Sequence, residues 1–338
     1  MLRDNPDSCP VQVIGSHVDA HSPVLAACDE AYPEPGPEVI GAEYAQWALE
    51  FAVQHGIDVF VPRLGLAEIA AARSDFVRAG VAVLAPPLPA IELLGDKAAS
   101  YADAIGLGLT VPPHRVVNTA AQLADAYAEI AEIAEQVCLK PVTGAGAHGY
   151  RILTASELSL TRLLGPSTEH EFLDKACAAL ENAAAAGELI PPLMVMPYLP
   201  GPEVSVDVLA DQEGTVLAAI GRSKAHRLRM IVDDPGARHA AQTLVNAHRV
   251  SYLSNTQVKY WQGPGDAQPR PYLLEVNTRM SAGLFQTTLA GVNLAWAAVQ
   301  LALGEHPQLP EPRYGISYTT VSSLSQAGIA QQPVAAQS

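Results

Sequence analysis

Glu275, Asn277 and Arg279 follow the apolar run Pro271-Tyr272-Leu273-Leu274 at two-residue spacing. Side chains of a strand alternate faces, so these three share one face and Val276 turns toward the core. A carboxylate beside an amide oxygen suits a hard divalent cation. Mg²⁺, or Mn²⁺ with the same taste for oxygen, takes such ligands and completes its shell with substrate phosphates. A guanidinium beside that metal suits the charge spread over a phosphoryl group in transfer. Gln257 lies in Asn255–Trp261, a segment that should pair with Tyr272–Val276, and its amide oxygen is a candidate third metal ligand. The bland reading of Gln257 is a surface side chain.

The phosphates that such a metal would neutralise need a cradle upstream. Lys140-Pro141-Val142-Thr143-Gly144-Ala145-Gly146-Ala147-His148-Gly149 offers one. Closely spaced glycines let backbone N–H groups turn toward a phosphate without a Cβ clash, and Lys140 supplies a point charge. Gly144, Gly146 and Gly149 also match G-x-G-x-x-G, the dinucleotide fingerprint, but that fingerprint needs a helix to begin inside the loop. The residues that follow, Tyr150-Arg151-Ile152-Leu153, are strand-like, which favours a strand–loop–strand hairpin. A nicotinamide-dependent enzyme rests on that match alone. The connector Met194–Glu203 joins two strands; its free backbone groups can meet an adenine edge, and Glu203 can accept from ribose hydroxyls. Its bland reading is a turn with an exposed Glu. Lys97 follows Asp96 at a helix start and, taken alone, reads as an exposed helical lysine.

The elements that must position these residues divide into three parts. Residues 1–95 alternate short apolar strands with helical patterns (strands near 11–16, 57–61 and 81–84; helices over 43–55 and 66–79), which implies a parallel sheet covered by helices. Residues 96–190 hold a helix to Ile105, a strand, a second helix over 120–134 and the glycine-loop hairpin. Residues 191–338 carry runs of antiparallel strands from Leu193 onward, and the tail after Ser323 is expected to fray. The fold class is therefore α/β plus α+β.

Bulk properties narrow the function. Only 16% of residues are charged and 49% are hydrophobic, which fits a chain that buries a large core. A net charge of −15 disfavours nucleic-acid or anionic-membrane partners, which select basic surfaces. Within that acidic chain Arg222, Lys224, Arg227 and Arg229 cluster in one segment. They are candidates for holding a substrate phosphate or carboxylate, or are charges on a solvated loop. The four cysteines lack C-x-x-C spacing, so no zinc site is expected and a reduced, cytoplasmic setting is. The first residues lack the apolar core of a signal peptide, and no run approaches the roughly 18 apolar residues of a membrane span.

Taken in order, Asp96-Lys97, the Lys140 glycine loop, Tyr198–Asp207 and Leu274–Arg279 resemble the ATP-grasp superfamily, in its carbamoyl-phosphate synthase and biotin carboxylase-like branch. The resemblance runs from about Val11 to Gly304. It implies an N-terminal, Rossmann-like pre-ATP-grasp domain, a small lid subdomain and a larger antiparallel subdomain, with ATP gripped between the last two. On that pattern Lys97 and Lys140 bind phosphates, and Gly144, Gly146 and Gly149 form the flap. Met196, Tyr198 and Leu199 meet adenine, and Glu203 meets ribose. Gln257, Glu275 and Asn277 hold Mg²⁺, and Arg279 steadies the phosphoryl group in transfer. The acceptor pocket would draw on the basic cluster together with Ser281 and Gly283. The implied activity is an ADP-forming carboxylate–amine ligase acting on a small-molecule carboxylate and a nucleophile, with a homodimer as the family default. A non-catalytic ATP-binding sensor or partner module is the alternative. It draws on two departures: Pro197, which removes a backbone donor beside the adenine, and Ala147-His148 in the flap.

Overall fold

A computed structural model of the chain describes residues 1–144, 149–155, 170–225, 228–319 and 321. Gly146, Arg227, the His148 of the loop and the tail after Ser323 lie outside the described residues.

The N-terminal part is built from parallel pairs. Strands β1 (Ile14–His17) and β2 (Glu30–Pro33) pair with each other, as do β3 (Val59–Phe60) and β4 (Ala82–Val83). Helix α1 (Gly41–Gln54) packs against the second pair through Tyr44, Ala48 and Ala52. The helical pattern over 66–79 breaks at Ala72 into α2 (Leu66–Ala71) and α3 (Arg73–Arg78), with Phe76 fully buried beneath them. Helix α4 (Leu88–Gly95) occupies a stretch that its prolines mark as a boundary. Proline fits the first turn of a helix, where its missing N–H has no intrahelical partner anyway, so Pro89 opens α4 instead of stopping it.

Next come α5 (Lys97–Gly106), β5 (Arg115–Val117), α6 (Ala120–Ala131), β6 (Val137–Pro141), β7 (Arg151–Thr154), β8 (His170–Phe172) and α7 (Leu173–Ala185). Their sheet has the order β5-β9-β6-β7-β8, where β9 is Leu193–Pro197. The chain division at 190/191 thus puts into the third part a strand whose hydrogen bonds lie in the second: Val137 to Pro141 of β6 pair along its whole length. Pairing partners far apart in sequence set this assignment, whereas the Pro191-Pro192 punctuation is local.

The large sheet is antiparallel, in the order β14-β13-β10-β11-β12-β15. It comprises β10 (Glu203–Ala210), β11 (Val216–Ala225), β12 (Leu228–Val232), β13 (Tyr252–Trp261), β14 (Arg270–Asn277) and β15 (Ser317–Thr319). Residues 221–225 and 228–229 are therefore strand and not the loop their charges suggest. Helix α8 (Pro235–His248) buries Ala237, Ala241, Leu244 and Val245 in one apolar cluster with β10, β13 and β14. Helix α9 (Leu294–Ala302) belongs to a second cluster with Leu209, Ile220 and Ile231. Each fully buried aliphatic side chain contributes roughly 1.5–3 kcal/mol, so the sheet is a firm platform for whatever its exposed positions carry. Among the described residues no helix is long and apolar enough to cross a membrane.

Candidate functional site

Between the small and large sheets lies a cleft of about 450 Å³. Lys97, Lys140 and Gly144 line it from one side, Gln257 and Glu275 from the other, and Met196, Tyr198, Leu199 and Glu203 from the connector between the sheets. Nine of the sequence-derived nucleotide and metal candidates are thereby brought to one space.

Each arrives by a local rule. The Asp96 carboxylate caps α5 by accepting from the N–H groups of Ala98 and Ala99 at 2.9 and 2.8 Å, which makes Lys97 the first helical residue. A cation in the first turn opposes the helix dipole, and Lys97 is only 8% exposed. The exposed helical lysine of the bland reading is not what the fold contains. Its Nζ donates to the carbonyl oxygens of Gly144 (2.8 Å) and Val142 (3.4 Å). Burial lowers its pKa, and the charges of Glu275 and Asp96 act in the other direction.

Lys140 reaches from β6 across the cleft to the large sheet. Its Nζ donates to the Leu274 carbonyl at 3.1 Å and to the Tyr101 hydroxyl at 3.3 Å, while that hydroxyl donates to the same carbonyl at 2.9 Å. The acceptor exists because β14 bulges. Gln257 pairs with Glu275 and Val258 with Leu273, so Leu274 has no opposite residue, and a bulge of this kind disrupts the ladder locally and re-aims side chains. Desolvation lowers the Lys140 pKa to about 8, against the opposing effects of Cys138 and Glu275. Neither Lys97 nor Lys140 forms an ion pair among the described residues. Two enclosed ammonium groups whose hydrogen-bond acceptors are all neutral can take an anionic partner.

Glu275 supplies a carboxylate on the opposite wall. Asn277 Nδ2 donates to Glu275 Oε1 at 3.0 Å, and Gln257 Nε2 donates to Asn255 Oδ1 at 3.3 Å. These bonds leave an amide oxygen of each residue for another partner. No cluster of three acidic, His or Cys ligands exists among the described residues. One carboxylate with two amide oxygens fits a Mg²⁺ ion that shares its shell with phosphates, and does not fit a self-sufficient protein cage.

The connector is less open than its sequence suggests. The Tyr198 N–H is bonded to the Gln136 carbonyl at 2.8 Å, and the Cys138 thiol donates to the Pro197 carbonyl at 3.6 Å. Burial pushes the Cys138 thiol up to about 11, so it stays protonated and is no nucleophile. Lys259 Nζ sits 4.4 Å from the centre of the Tyr198 ring. Glu203 stands in register with Lys224 on one side and Lys259 on the other. Sequence reasoning missed Lys259, Tyr101 and Cys138; once the β13–β10 pairing is drawn, the lysine's place opposite Glu203 was available as a signal.

Gly149 has φ +73, and a Cβ there would press on Pro141, so a glycine is required at the return of the hairpin. Antiparallel pairing of β6 with β7 (Val137 with Leu153, Leu139 with Arg151) rules out the strand–loop–helix of a dinucleotide fingerprint.

The described members of the basic segment and its companions are held by different partners. Lys224 lines the same cleft as Lys97 and Glu275. Arg229 stands opposite it on β12, its Nη1 donating to the Leu228 carbonyl at 3.3 Å. Arg222, two residues along β11, shares the face of Lys224, as strand alternation requires, but is held by other partners. Its guanidinium pairs with the fully buried Asp207 at 2.6 Å and donates to Gln286 and Ser281 at 3.0 Å each. Ser281 in turn donates to Asp207 at 2.7 Å, and a Cβ on Gly283 would collide with the guanidinium. Arg222, Ser281 and Gly283 thus form a closed cage that pins the turn after β14. Removing one partner of a buried ion pair strands the other charge, so Asp207→Ala should cost about 3–5 kcal/mol in a urea titration. A stability indistinguishable from the parent would return Arg222 to the list of substrate ligands. Arg279 is a further correction: β14 ends at Asn277, and Arg279 sits on the bend beyond it, donating to the Met280 carbonyl at 3.3 Å.

A family model described as ATP-grasp in the biosynthetic pathway with Ter operon matches residues 189–324. The methylcrotonoyl-CoA carboxylase alpha subunit of Oryza sativa subsp. japonica is 26% identical over 314 residues, 88% of this chain and 40% of that protein. Its Glycine max counterpart is 24% identical over 321 residues, 89% and 41% of the two chains. This chain therefore spans about 40% of the length of those curated relatives. The biotin carboxylase domain of Hydrogenobacter thermophilus 2-oxoglutarate carboxylase, solved with MgADP, ADP and bicarbonate, superposes with TM-score 0.61 at 20% identity, covering 91% of this chain and 68% of that one. Biotin carboxylase from Campylobacter jejuni, solved with a β,γ-ATP compound, gives 0.62 at 17% identity, covering 90% and 68%. At these identities the structural likeness is one of fold.

Proposed function

From a chain with the ATP-grasp fold, in the arrangement of the biotin carboxylase-like branch, we propose an ATP-dependent, ADP-forming ligase. It activates a substrate carboxylate as an acyl phosphate, which a nucleophile, an amine by preference, then captures to form a C–N bond. The observation that carries this reading is the pair of enclosed, acid-free lysines facing Glu275 across one cleft.

Each residue's part follows from its place. Lys97 and Lys140 meet the phosphates and replace their neutral carbonyl partners with charged ones. Gly144, at the start of the glycine loop, lies in the cleft beside Lys97 and is placed to meet the phosphates. Met196, Tyr198 and Leu199 flank the base, and Glu203 receives the ribose hydroxyls. Glu275, Asn277 and Gln257 would hold Mg²⁺, which supplies charge neutralisation at the phosphates. Phosphoryl transfer to a carboxylate needs positioning and charge neutralisation more than proton transfer, which agrees with a cleft whose one thiol is protonated. Pro197 removes a donor, but its carbonyl and that of Met196 remain acceptors for the adenine amino group.

Purified protein incubated with ATP, Mg²⁺ and pools of amino acids and other carboxylates should release ADP continuously, and chelation of the metal should stop it. Tight ATP binding with no carboxylate-stimulated ADP release would favour the sensor alternative. Binding of NAD(P)H without ATP–Mg²⁺ would unseat both.

A further inference from the structure

Arg63 lies just beyond the carboxyl end of β3, the end at which open parallel sheets receive ligands. It crosses to the metal strand's own turn. Its Nη1 donates to the Met280 carbonyl at 2.7 Å, the oxygen to which Arg279 Nη1 donates at 3.3 Å. Two guanidinium groups therefore converge on one neutral atom. Packing fixes the meeting, because Val59 and Val61 share an apolar cluster with Met280.

No carboxylate neutralises either arginine among the described residues, in a chain with 35 acidic residues against 20 basic ones. Like charges held this close repel. Arg63 is exposed as a residue, yet partial desolvation and the charge of Arg279 hold its pKa below the ordinary arginine value. An anion seated between them would relieve both costs, and planar forks suit the two oxygens of a carboxylate.

We propose that Arg63 and Arg279 form the fork that binds the substrate's carboxylate, presenting it to the phosphoryl group gripped beside Glu275. The proposal rests on the ligase reading above and adds a residue from the N-terminal part to the site.

Crystals soaked in bromide should show an anomalous peak between the two guanidinium groups. Acetate added to the soak should displace it, and Arg63→Gln crystals should lack it. Affinity for AMP-PNP–Mg²⁺, measured in solution, should be the same in Arg63→Gln as in the parent. No peak at the pair overturns the fork, and a peak indifferent to acetate marks an adventitious ion only, which also overturns it. A lost nucleotide affinity in Arg63→Gln makes Arg63 part of the ATP grip and overturns its assignment to the carboxylate. A parent protein that binds bromide and acetate at the pair but no AMP-PNP–Mg²⁺ would remove the ligase reading and leave the anion site standing.

Discussion

Glu275→Gln is expected to lower carboxylate-stimulated ADP release by at least about a hundredfold, the scale on which loss of one charge-stabilising group is felt in a water-poor site. Glu275 acts twice. Its carboxylate is the one charged oxygen among the three proposed metal ligands, and its charge supports the protonated state of both Lys97 and Lys140. The amide of Gln keeps the shape and the bond from Asn277 Nδ2, so thermal unfolding should shift little. The Mg²⁺ concentration for half-maximal rate should rise together with the fall in kcat. Turnover like that of the parent at ordinary Mg²⁺ would remove Glu275 from the metal site. Loss of turnover accompanied by loss of the folded state would make it a structural residue.

Replacing Lys140 by Met should make the nucleotide-free protein more stable and the enzyme inactive. The folded-state pKa of Lys140 is lowered to about 8, whereas an unfolded lysine titrates near 10.4. The sign follows from proton counting. Between those values the unfolded chain holds the proton and the folded chain has lost it, so stability rises with pH through that window. Below about 8 both states are charged and the whole penalty is present, roughly 3 kcal/mol as an upper figure. Methionine fills similar space, leaves the Tyr101 bond to Leu274 intact and carries no charge to desolvate. Its variant should melt several degrees higher at pH 7 and lack the rise in stability above pH 8. In the parent, ATP–Mg²⁺ affinity should fall as pH rises through about 8 and the ammonium discharges, and in the variant it should be weak at every pH. A Lys140→Met protein that melts lower than the parent would mean that the lysine holds the two sheets together and is not kept for a ligand.

The opposing demands on Lys140 describe the site as a whole. Lys97 at a helix start, Lys140 beneath a bulge and the Arg63–Arg279 pair are all cations placed where a stable apo fold would not put them. What makes these positions tolerable is the firm packing beneath them, including Leu244 and Val258 under the large sheet. Function and stability meet at the same atoms, so variants that relax one should damage the other.

Much of this was legible in the chain, for reasons that are themselves local. A strand of period two gives Glu275 and Asn277 one face. An Asp before a helical run gives a cap, and closely spaced glycines after a lysine give a hairpin. Those rules, in that order along the chain, carry the proposed nucleotide–metal chemistry and determined the antiparallel character of the C-terminal part. Tertiary structure decided the rest through contacts between distant residues. Pairing moved Leu193–Pro197 into the small sheet, and the unpaired Leu274 supplied an acceptor that no periodicity predicts. Asp207 engages Arg222 in a buried ion pair, which the charge cluster in the sequence did not announce. Arg63 met Arg279 across 216 positions because two apolar surfaces pack there. Residue type and spacing set which chemistry the side chains can do; burial and long-range packing set which of them are left with charge to offer.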